Sequence, residues 1–276
     1  MKKFIDVTVP YYIPIALLGL INGAILTINT IPGFEIVYAA ISLSFVVGGF
    51  NTLNGVYDKD IDKLNKPHRP IPKKAISIRA AKNYAFLLYL LAFLTSFLLN
   101  TYFILTVLFS IILTSFYSIP HIRLRSRFII NTLSGLVFYG ILCPLAGWSL
   151  YPTFPMPILF IVFLFLLGSG IAVTKDFEDV HGDAAFKIKT IPTVFGLDGG
   201  RVFVSLMILL SFAYLAALAF LSIIEFKYIA VLIFLPWAFY TIYKIGDDRN
   251  NFKNFFLKNI LLAVSVELMI IAVTIV

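Results

Sequence analysis

The chain has 276 residues, of which 60% are hydrophobic and only 13% are charged, and its formal net charge is +8. Ordinary globular domains are about 45–50% apolar and about 25% charged. With half the usual charge, a compact chain of this size would expose a largely apolar surface to water, so the composition excludes a soluble protein. It also excludes a disordered chain, which requires low hydrophobicity.

Uncharged runs long enough to cross a bilayer follow one another along the chain. A transmembrane helix needs roughly 20 mainly apolar residues. The longest runs, 83–122 and 128–174, each fit two helices, with turns near Asn100 and Pro152. The predicted spans are 11–31, 36–57, 80–99, 102–119, 129–149, 157–175, 200–223, 228–245 and 255–275. Because the runs are continuously apolar rather than alternating, we expect helices and not a β-barrel. The sequence therefore predicts an all-α membrane protein with nine transmembrane helices.

The basic residues predict the orientation of these spans. If the N-terminus is cytoplasmic, all 22 lysines and arginines except Lys227 lie in cytoplasmic loops or at cytoplasmic helix ends. The positive-inside rule requires this asymmetry. We therefore expect a multi-pass protein of the cell membrane, with its N-terminus in the cytoplasm and its C-terminus outside. Because this topology explains the basic excess, no nucleic-acid partner is expected.

Seven of the 14 acidic residues lie in two short stretches, each at the predicted cytoplasmic end of a span. Asn54, Asp58 and Asp62 are spaced four residues apart, and Asp179 and Asp183 repeat that step. A helix stacks residues at this spacing on one face, where neighbouring carboxylates repel each other. A divalent cation reverses that repulsion, and Mg²⁺ favours one or two carboxylates together with substrate phosphate oxygens.

The two acidic stretches lie 121 residues apart, from 58 to 179 and from 62 to 183, and on the same predicted side of the membrane. Each precedes a basic segment that ends in proline, at 65–72 and 187–192. This pattern is typical of a parallel repeat, and we predict a single integral membrane domain over residues 1–276. Its two four-helix halves and its ninth helix cover residues 11–120, 129–245 and 255–275. Facing acidic helix ends with basic residues above them would bind a magnesium-bridged polyanion, and diphosphate fits best.

Three segments resemble the motifs of the UbiA-type intramembrane prenyltransferases. The first is Asn54-xxx-Asp58-xxx-Asp62, followed by Asn-Lys-Pro-x-Arg-Pro-Ile-Pro. The second is Asp176-xx-Asp179-xxx-Asp183, followed by Thr190-Ile-Pro-xxx-Gly196. The third, between the fourth and fifth spans, is Tyr117-Ser-Ile-Pro-His-Ile-Arg123-Leu-Arg125. Order, spacing and layout agree, so the resemblance covers nearly the whole chain.

The resemblance implies transfer of a polyprenyl group, with geranylgeranyl expected, from its diphosphate to a hydrophobic or lipid-like acceptor in the membrane. It implies Mg²⁺ as the cofactor and an active site near the cytoplasmic side. The implied metal ligands are Asn54, Asp58, Asp62, Asp179 and Asp183. The implied diphosphate contacts are Asn54, Arg69, Arg123, Lys175 and Lys189, and Arg125 ranks with Lys189 behind the others. The implied catalytic residues are Asp58, Asp62, Asp176, Asp179 and Asp183, and among them Asp176 is a candidate general base or a support for the metal. Tyr117 and Tyr139 are candidates for contacts with an allylic cation or with the acceptor.

Two positions depart from the family pattern. Gly55 stands where the family usually has Asp, which removes one carboxylate, and Val9-Pro10 stands where many relatives have Arg-Pro. The residues of these motifs resemble those of two branches of the family. One is a chlorophyll-synthase-like branch, and the other adds geranylgeranyl to geranylgeranylglyceryl phosphate in archaeal ether-lipid synthesis. Segment 175–183 favours the lipid branch, and aromatic quinone precursors remain open as acceptors.

A membrane transporter is the rival class of protein. Transporters place ions and substrate near the bilayer midplane. In this chain Glu267 is the single acid well inside a predicted span, and the other acids lie at span ends or in loops. The distribution of acids therefore favours the enzyme.

Overall fold

The computed structural model describes residues 2–243 and 249–276, with side chains in the second range from Phe252 onward. Within these residues the chain is helical without strands, and eight helices are long and apolar enough to cross a membrane. The all-α membrane class is therefore confirmed. The predicted span 80–99 is also a helix, Ile78–Ser96. It carries Arg79 and Lys82 near its start and is not one of these eight helices, so the count of nine spans stays a prediction.

The helices are named here in chain order. They are α1 (Lys2–Val7), α2 (Ile13–Ile28), α3 (Glu35–Tyr57), α4 (Lys59–Asn65), α5 (Ile78–Ser96), α6 (Thr101–Ser118), α7 (Ile130–Leu136), α8 (Cys143–Trp148), α9 (Ile158–Ala185), α10 (Ile191–Phe220), α11 (Leu235–Tyr243) and α12 (Arg249–Ile275). A π-helical segment, Val137–Leu142, joins α7 to α8 directly ahead of Pro144. Proline lacks an N–H group and its ring crowds the carbonyl four residues earlier, so a local widening of the helix is expected there.

Polar side chains define where several helices begin. Asn100 Oδ1 accepts a hydrogen bond of 3.0 Å from the Phe103 amide at the start of α6. Ser77 Oγ accepts one of 3.2 Å from the Ala80 amide at the start of α5. Both are N-caps, which satisfy amides that have no partner inside the helix. The turn predicted at Asn100 is confirmed, because α5 ends before it and α6 begins directly after it.

Two helices extend beyond the apolar runs that predicted them. Helix α9 continues past the predicted end at 175 to Ala185, and α10 begins at Ile191 rather than at 200. Hydrophobicity reports the part of a helix inside the hydrocarbon, whereas hydrogen bonding and capping continue the helix outside it. The start of α10 bends at Gly196, with φ 74° and ψ 175°, a conformation that is essentially confined to glycine. The predicted end of the eighth span at 245, and Lys244 beside it, lie outside the described residues.

Two apolar clusters hold the bundle together. One packs α9, α10 and α12 around Phe163, Phe177 and Phe212. The other joins α2, α3 and α6 to α8, with Leu20 and Phe103 fully buried. Since α8 packs with helices of the predicted first half, the clusters do not follow the predicted halves, and the repeat stays a prediction.

Helices α2 and α8 approach each other closely enough to touch backbone to backbone. A Cβ atom at Gly23 would lie 1.9 Å from the Pro144 carbonyl oxygen, and one at Gly147 would lie 2.0 Å from the Leu20 carbonyl oxygen. Any side chain there would separate the helices, so only glycine permits this contact. The contact fixes α2 against α8.

Candidate active site

The first acidic stretch forms one continuous face although α3 and α4 are separate helices. The amides of Asp58, Asp62 and Lys66 each donate a 2.8 Å hydrogen bond to the carbonyl four residues earlier, across the junction. Asn54 Nδ2 also donates to Asp58 Oδ2 at 2.7 Å. The predicted stacking of Asn54, Asp58 and Asp62 is therefore confirmed, and Lys66 continues the same face.

The second acidic stretch lies on α9, which is unbroken through all of it. Asp176, Asp179 and Asp183 are buried, with 6%, 1% and 1% of their surface exposed. Ionised carboxylates at this depth require partners of opposite charge. The partners of Asp179 and Asp183 come from other elements of the structure, whereas Asp176 has the adjacent Lys175 at 3.8 Å.

Ion pairs join the two acidic stretches. Lys66 Nζ binds both carboxylate oxygens of Asp179. Arg69 Nη1 lies 2.9 Å from Asp62 Oδ2. The basic segment that follows the first stretch therefore neutralises a carboxylate of each stretch.

Arg125, in the connection between α6 and α7, also links the two stretches. Its Nε lies 2.6 Å from Asp58 Oδ2 and its Nη2 lies 3.3 Å from Asp183 Oδ1. Arg123 Nη2 adds a contact of 3.1 Å to Asp58 Oδ1. Burial by itself lowers the pKa of the Arg125 guanidinium, but the Asp58 and Asp183 carboxylates outweigh it and raise that pKa well above its ordinary value. Arg125 therefore stays charged and holds α3 and α9 at a fixed separation.

Asn65 fixes α4 on α9 through the backbone. Its Nδ2 donates to the Asp179 carbonyl at 2.9 Å, and its Oδ1 accepts from the Gly182 amide at 2.9 Å. Because both the nitrogen and the oxygen of the Asn65 side-chain amide are hydrogen-bonded to α9, α4 has one register on that helix. This register brings Lys66, the next residue, to Asp179.

The electrostatics of Lys66 differ from those of a surface lysine. Burial lowers the pKa of its ammonium group, with Arg69 and Lys175 acting in the same direction, and the Asp179 carboxylate opposes only part of the change. Lys66 therefore releases a proton more readily than an exposed lysine. Its charge depends on Asp179, or on another anion at the same place.

A cavity opens between these elements. One end is charged, and its lining residues are Asn54, Asp62, Lys66, Arg69, Arg125, Lys175, Asp176 and Asp179. The rest is mainly apolar, and it includes Ile15, Leu164, Leu167, Ile171, Ile260 and Ala263. A ligand that fills such a cavity has a polyanionic head that binds metal or basic residues and an apolar tail.

The structure separates the predicted site residues into two groups. Asn54, Arg69, Lys175, Tyr117 and Tyr139 line the cavity, as do three of the five predicted catalytic carboxylates. Among the described residues, the lining does not include Asp58, Asp183, Arg123 or Lys189. The first three belong to the ion-pair network around Arg125, whereas Lys189 is exposed in the connection after α9.

Tyr117 and Tyr139 occupy the boundary between the charged end and the apolar part. Tyr117 Oη donates a hydrogen bond of 2.8 Å to Asn131 Oδ1. The Phe50 ring packs edge-on against the Tyr117 ring, with 5.3 Å between the ring centroids. Tyr139 lies in the π-helical segment ahead of Pro144. The widened helix turn therefore supplies part of the cavity wall.

Gly55 does not face the cavity. A Cβ atom there would lie 3.4 Å from Ile71 Cδ1, in the small apolar cluster of Val7, Val56 and Ile76. An aspartate at this position would leave the helix on the side away from the charged end. The departure at Gly55 therefore removes no carboxylate from the cavity lining.

The sequence prediction missed Lys66 as a site residue and ranked Arg125 behind Arg123. Lys66 lies four residues after Asp62, so the spacing that grouped the carboxylates would also have identified it. Arg125 lies inside the third motif, but nothing in the sequence distinguishes it from Arg123 and Arg127. Its assignment required the tertiary contacts with Asp58 and Asp183.

The donor chemistry of the charged end fits Mg²⁺. Among the described residues no three histidine, cysteine or acidic side chains are close enough to hold a metal ion by themselves. Mg²⁺ does not require such a cluster, because it is usually held by one or two carboxylates with substrate phosphate oxygens and water. Asp62, Asp179 and the Asn54 amide oxygen are ligands of the kind it prefers, and all three residues line the cavity.

The sequence profile of the UbiA prenyltransferase family matches residues 13–261. The chain belongs to this family. It is 31% identical over 254 residues to a digeranylgeranylglyceryl phosphate synthase of Methanobrevibacter smithii, covering 86% of this chain and 87% of the relative. A protein of the same name from Saccharolobus solfataricus is 29% identical over 214 residues, covering 75% and 73%. The predicted enzyme class, a prenyltransferase, is confirmed.

Solved structures show the same fold. A UbiA homologue from Archaeoglobus fulgidus bound to GPP and Mg²⁺ superposes with a TM-score of 0.76 at 19% identity, covering 99% of this chain and all of the other. A UbiA homologue from Aeropyrum pernix K1 in its apo form gives a TM-score of 0.79 at 17% identity, covering 95% and 98%. The UbiA prenyltransferase fold therefore extends over nearly the whole chain.

Proposed function

We propose that this UbiA family member transfers a polyprenyl group from an allylic diphosphate to an acceptor within the membrane, releases diphosphate and depends on Mg²⁺. The observation that carries the proposal is a cavity that has both a charged end and an apolar body. A polyprenyl diphosphate has the same two parts, and the diphosphate would occupy the charged end. The solved A. fulgidus homologue is described as bound to GPP and Mg²⁺, which agrees with this class of donor.

The basic residues of the cavity would stabilise the leaving group. Negative charge develops on the diphosphate as the allylic C–O bond breaks, so cations placed there lower the energy of the transition state. Lys66, Arg69 and Arg125 are positioned for this role, because they already bind carboxylates at the same place. Bound Mg²⁺, held by Asp62 and Asp179 with Asn54, would add Lewis-acid neutralisation of the diphosphate.

Arg125 links diphosphate binding to the remaining carboxylates. Asp58 and Asp183 share this guanidinium. A diphosphate that binds Arg125 would release both carboxylates, which then become available as metal ligands. The five predicted carboxylates thus keep their proposed roles, with Asp176 as the base or as a support for the metal.

The region next to the charged end would protect the reacting carbon. Tyr117 and Tyr139 present aromatic rings there, and an aromatic face stabilises a nearby cation. The apolar lining excludes water, which would otherwise compete with the acceptor for the prenyl group. The protein's contribution to this step is therefore orientation, charge and the exclusion of water.

We propose geranylgeranylglyceryl phosphate as the acceptor and geranylgeranyl diphosphate as the donor. Several relatives carry the name digeranylgeranylglyceryl phosphate synthase. Such an acceptor brings a second phosphate group and needs an additional cation. Lys175 suits this role, because its Nζ lies 3.8 Å from Asp176 Oδ1, beyond hydrogen-bond distance, and it lines the cavity.

The topology completes the proposal. Nine spans, a cytoplasmic N-terminus and a parallel repeat of two four-helix halves would place both acidic stretches at the cytoplasmic face of the cell membrane. The positive charges support this arrangement, since all of them but Lys227 fall on one side in that topology. A soluble diphosphate product would then leave on the cytoplasmic side.

A transfer assay on the purified protein tests the proposal. Radiolabelled geranylgeranyl diphosphate with Mg²⁺ is offered to geranylgeranylglyceryl phosphate, 4-hydroxybenzoate, a naphthoate and a chlorophyllide in parallel, with EDTA as the control. We expect labelled product with the glyceryl phosphate alone, and at least a hundredfold loss of rate with EDTA. Product with an aromatic or chlorophyllide acceptor would replace the proposed acceptor, and turnover that persists in EDTA would contradict the metal role.

A further inference from the structure

A polar pair lies deep in the apolar part of the cavity. Asn22 Nδ2 on α2 donates to Glu267 Oε2 on α12 at 3.1 Å. Glu267 lines the cavity, whereas Asn22 is fully buried behind it. Among the described residues Asn22 Oδ1 has no hydrogen-bond partner, so the pair is not fully satisfied. The mechanism proposed above uses neither residue.

Glu267 marks the far end of the cavity. The α12 residues that line it are Phe256, Ile260, Ala263 and Glu267, spaced along one helix face. From Phe256 to Glu267 the axial distance is about 16 Å, at a rise of about 1.5 Å per residue. On α2 the lining ends at Gly19, one turn before Asn22. On α12 the lining therefore reaches the depth of Asn22, about one turn beyond Gly19.

The helices leave no space beyond this depth on the side of α2 and α8. Directly after Gly19, the backbones of α2 and α8 touch at Gly23 and Gly147, where a Cβ atom would lie 1.9 or 2.0 Å from a carbonyl oxygen. A ligand cannot separate them without breaking this contact. The Asn22–Glu267 pair occupies the remaining gap between α2 and α12.

We infer that Asn22 and Glu267 form a polar floor that limits the length of the prenyl chain that the cavity accepts. The inference rests on the proposed function and assigns its limit on prenyl chain length to this pair. A chain that reaches the floor packs against apolar residues along its whole length. A chain longer by one isoprene unit must enter between Asn22 and Glu267, which breaks their hydrogen bond and buries polar groups against hydrocarbon. The longer chain is rejected for that reason.

Glu267→Ala tests the floor directly. We would compare kcat/KM for geranyl, farnesyl, geranylgeranyl and geranylfarnesyl diphosphate in the wild type and the variant. The variant is expected to extend the longest accepted chain by at least one isoprene unit. For the first chain that the wild type rejects, kcat/KM relative to the preferred donor should rise by about tenfold, which is the effect of relieving one unfavourable polar burial.

Three further variants separate a length limit from a structural role. Ala263→Phe fills the lining one turn nearer the charged end, so it should shorten the longest accepted chain. Glu267→Gln retains a hydrogen bond to Asn22 and should keep the wild-type limit. Leu268→Ala is the matched control, because Leu268 is exposed on the outer face of the same helix. A purely structural role for Glu267 would lower thermal stability and all rates together without changing the order of the donors.

A binding measurement keeps this inference distinct from the proposed transfer reaction. For the wild type and each variant, we would measure the increase in melting temperature caused by each of the same diphosphates in the presence of Mg²⁺. This measurement requires no turnover. If the wild type binds prenyl diphosphates but transfers none, the proposed function fails, and the length profile of binding still tests the floor. The inference is overturned if folded Glu267→Ala and Ala263→Phe both keep the wild-type length profile. A shift in Glu267→Gln as large as in Glu267→Ala would overturn the role given to the hydrogen bond.

Discussion

Four of the five buried carboxylates of the two acidic stretches, Asp58, Asp62, Asp179 and Asp183, are paired with a cation from outside their own stretch. Lys66 and Asp179 are the clearest case, since they are 113 residues apart and both are buried. Burying two charges is costly, and replacing such a pair by apolar residues is often neutral for stability. We therefore attribute the pair to function, because Lys66 and Asp179 together hold the charges that a metal-bound diphosphate would take over.

Asp179→Asn should separate the stabilising effect of this pair from its catalytic effect. The variant leaves the buried Lys66 without its carboxylate, which typically lowers the free energy of unfolding by about 3–5 kcal/mol. Prenyl transfer should fall at least a hundredfold. Chemical denaturation in detergent and the transfer assay measure the two effects.

The double variant Lys66→Met/Asp179→Asn provides the decisive control. It removes both charges, so stability should recover while transfer stays abolished. Asp60→Asn, which breaks the exposed Lys63–Asp60 pair of 2.7 Å, should cost less than about 1 kcal/mol and leave transfer intact. Near-normal transfer in the double variant would show that the pair is structural.

The relation between α4 and α9 decides whether these residues meet. Asn65 contacts the α9 backbone at the Asp179 carbonyl and at the Gly182 amide, and this is possible because position 182 has no side chain. A Cβ atom at Gly182 would lie 2.4 Å from Asn65 Oδ1. The short helix α4 therefore depends on one glycine of α9 for its register.

Gly182→Ala should displace Asn65 and weaken the α4–α9 contact. We expect a loss of about 1–3 kcal/mol of stability, as is usual for substitutions that break buried hydrogen bonds, together with a raised KM for the diphosphate donor. The matched control is Gly55→Ala, where the added methyl group makes an ordinary contact of 3.4 Å with Ile71. An unchanged melting temperature and an unchanged KM in Gly182→Ala would contradict the proposed role of Gly182 and Asn65 in setting the register of α4 on α9.

The predicted orientation in the membrane rests on the charge distribution of the whole molecule. The number of crossings depends on α5, which carries Arg79 and Lys82 near its start and is not one of the eight helices long and apolar enough to cross a membrane. With nine spans the two ends of the chain lie on opposite sides of the membrane, and with eight they lie on the same side. The position of the termini therefore tests the topology.

Cysteine labelling in intact cells measures on which side of the membrane each terminus lies. Lys3→Cys and Val276→Cys are introduced separately into a Cys143→Ser background, which removes the single, buried native thiol. A membrane-impermeant maleimide should label Cys at 276 in intact cells and Cys at 3 only after the membrane is opened. Labelling of both or of neither in intact cells would overturn the nine-span topology.

The sequence by itself determined the membrane class, the position of each long helix and the carboxylates that share a helix face. These features follow from hydrophobic runs and from a period of 3.6 residues, both of which are local properties of the chain. The motif resemblance added the family, which the match over residues 13–261 confirms. Local patterns also placed Asn54, Asp62 and Asp179 in one site before any contact was known.

Only the tertiary structure decided which of these residues face the cavity and which hold its wall together. Asp58 and Asp183 look equivalent to Asp62 and Asp179 in the sequence, yet Arg125 binds the first two outside the cavity lining. The contact of Asn22 with Glu267 spans 245 residues and follows no motif. Charge pairing and helix packing depend on elements that are distant along the chain, so periodicity cannot reveal them. The sequence thus determined the helices and the type of chemistry, and the packing of those helices decided the roles of individual residues.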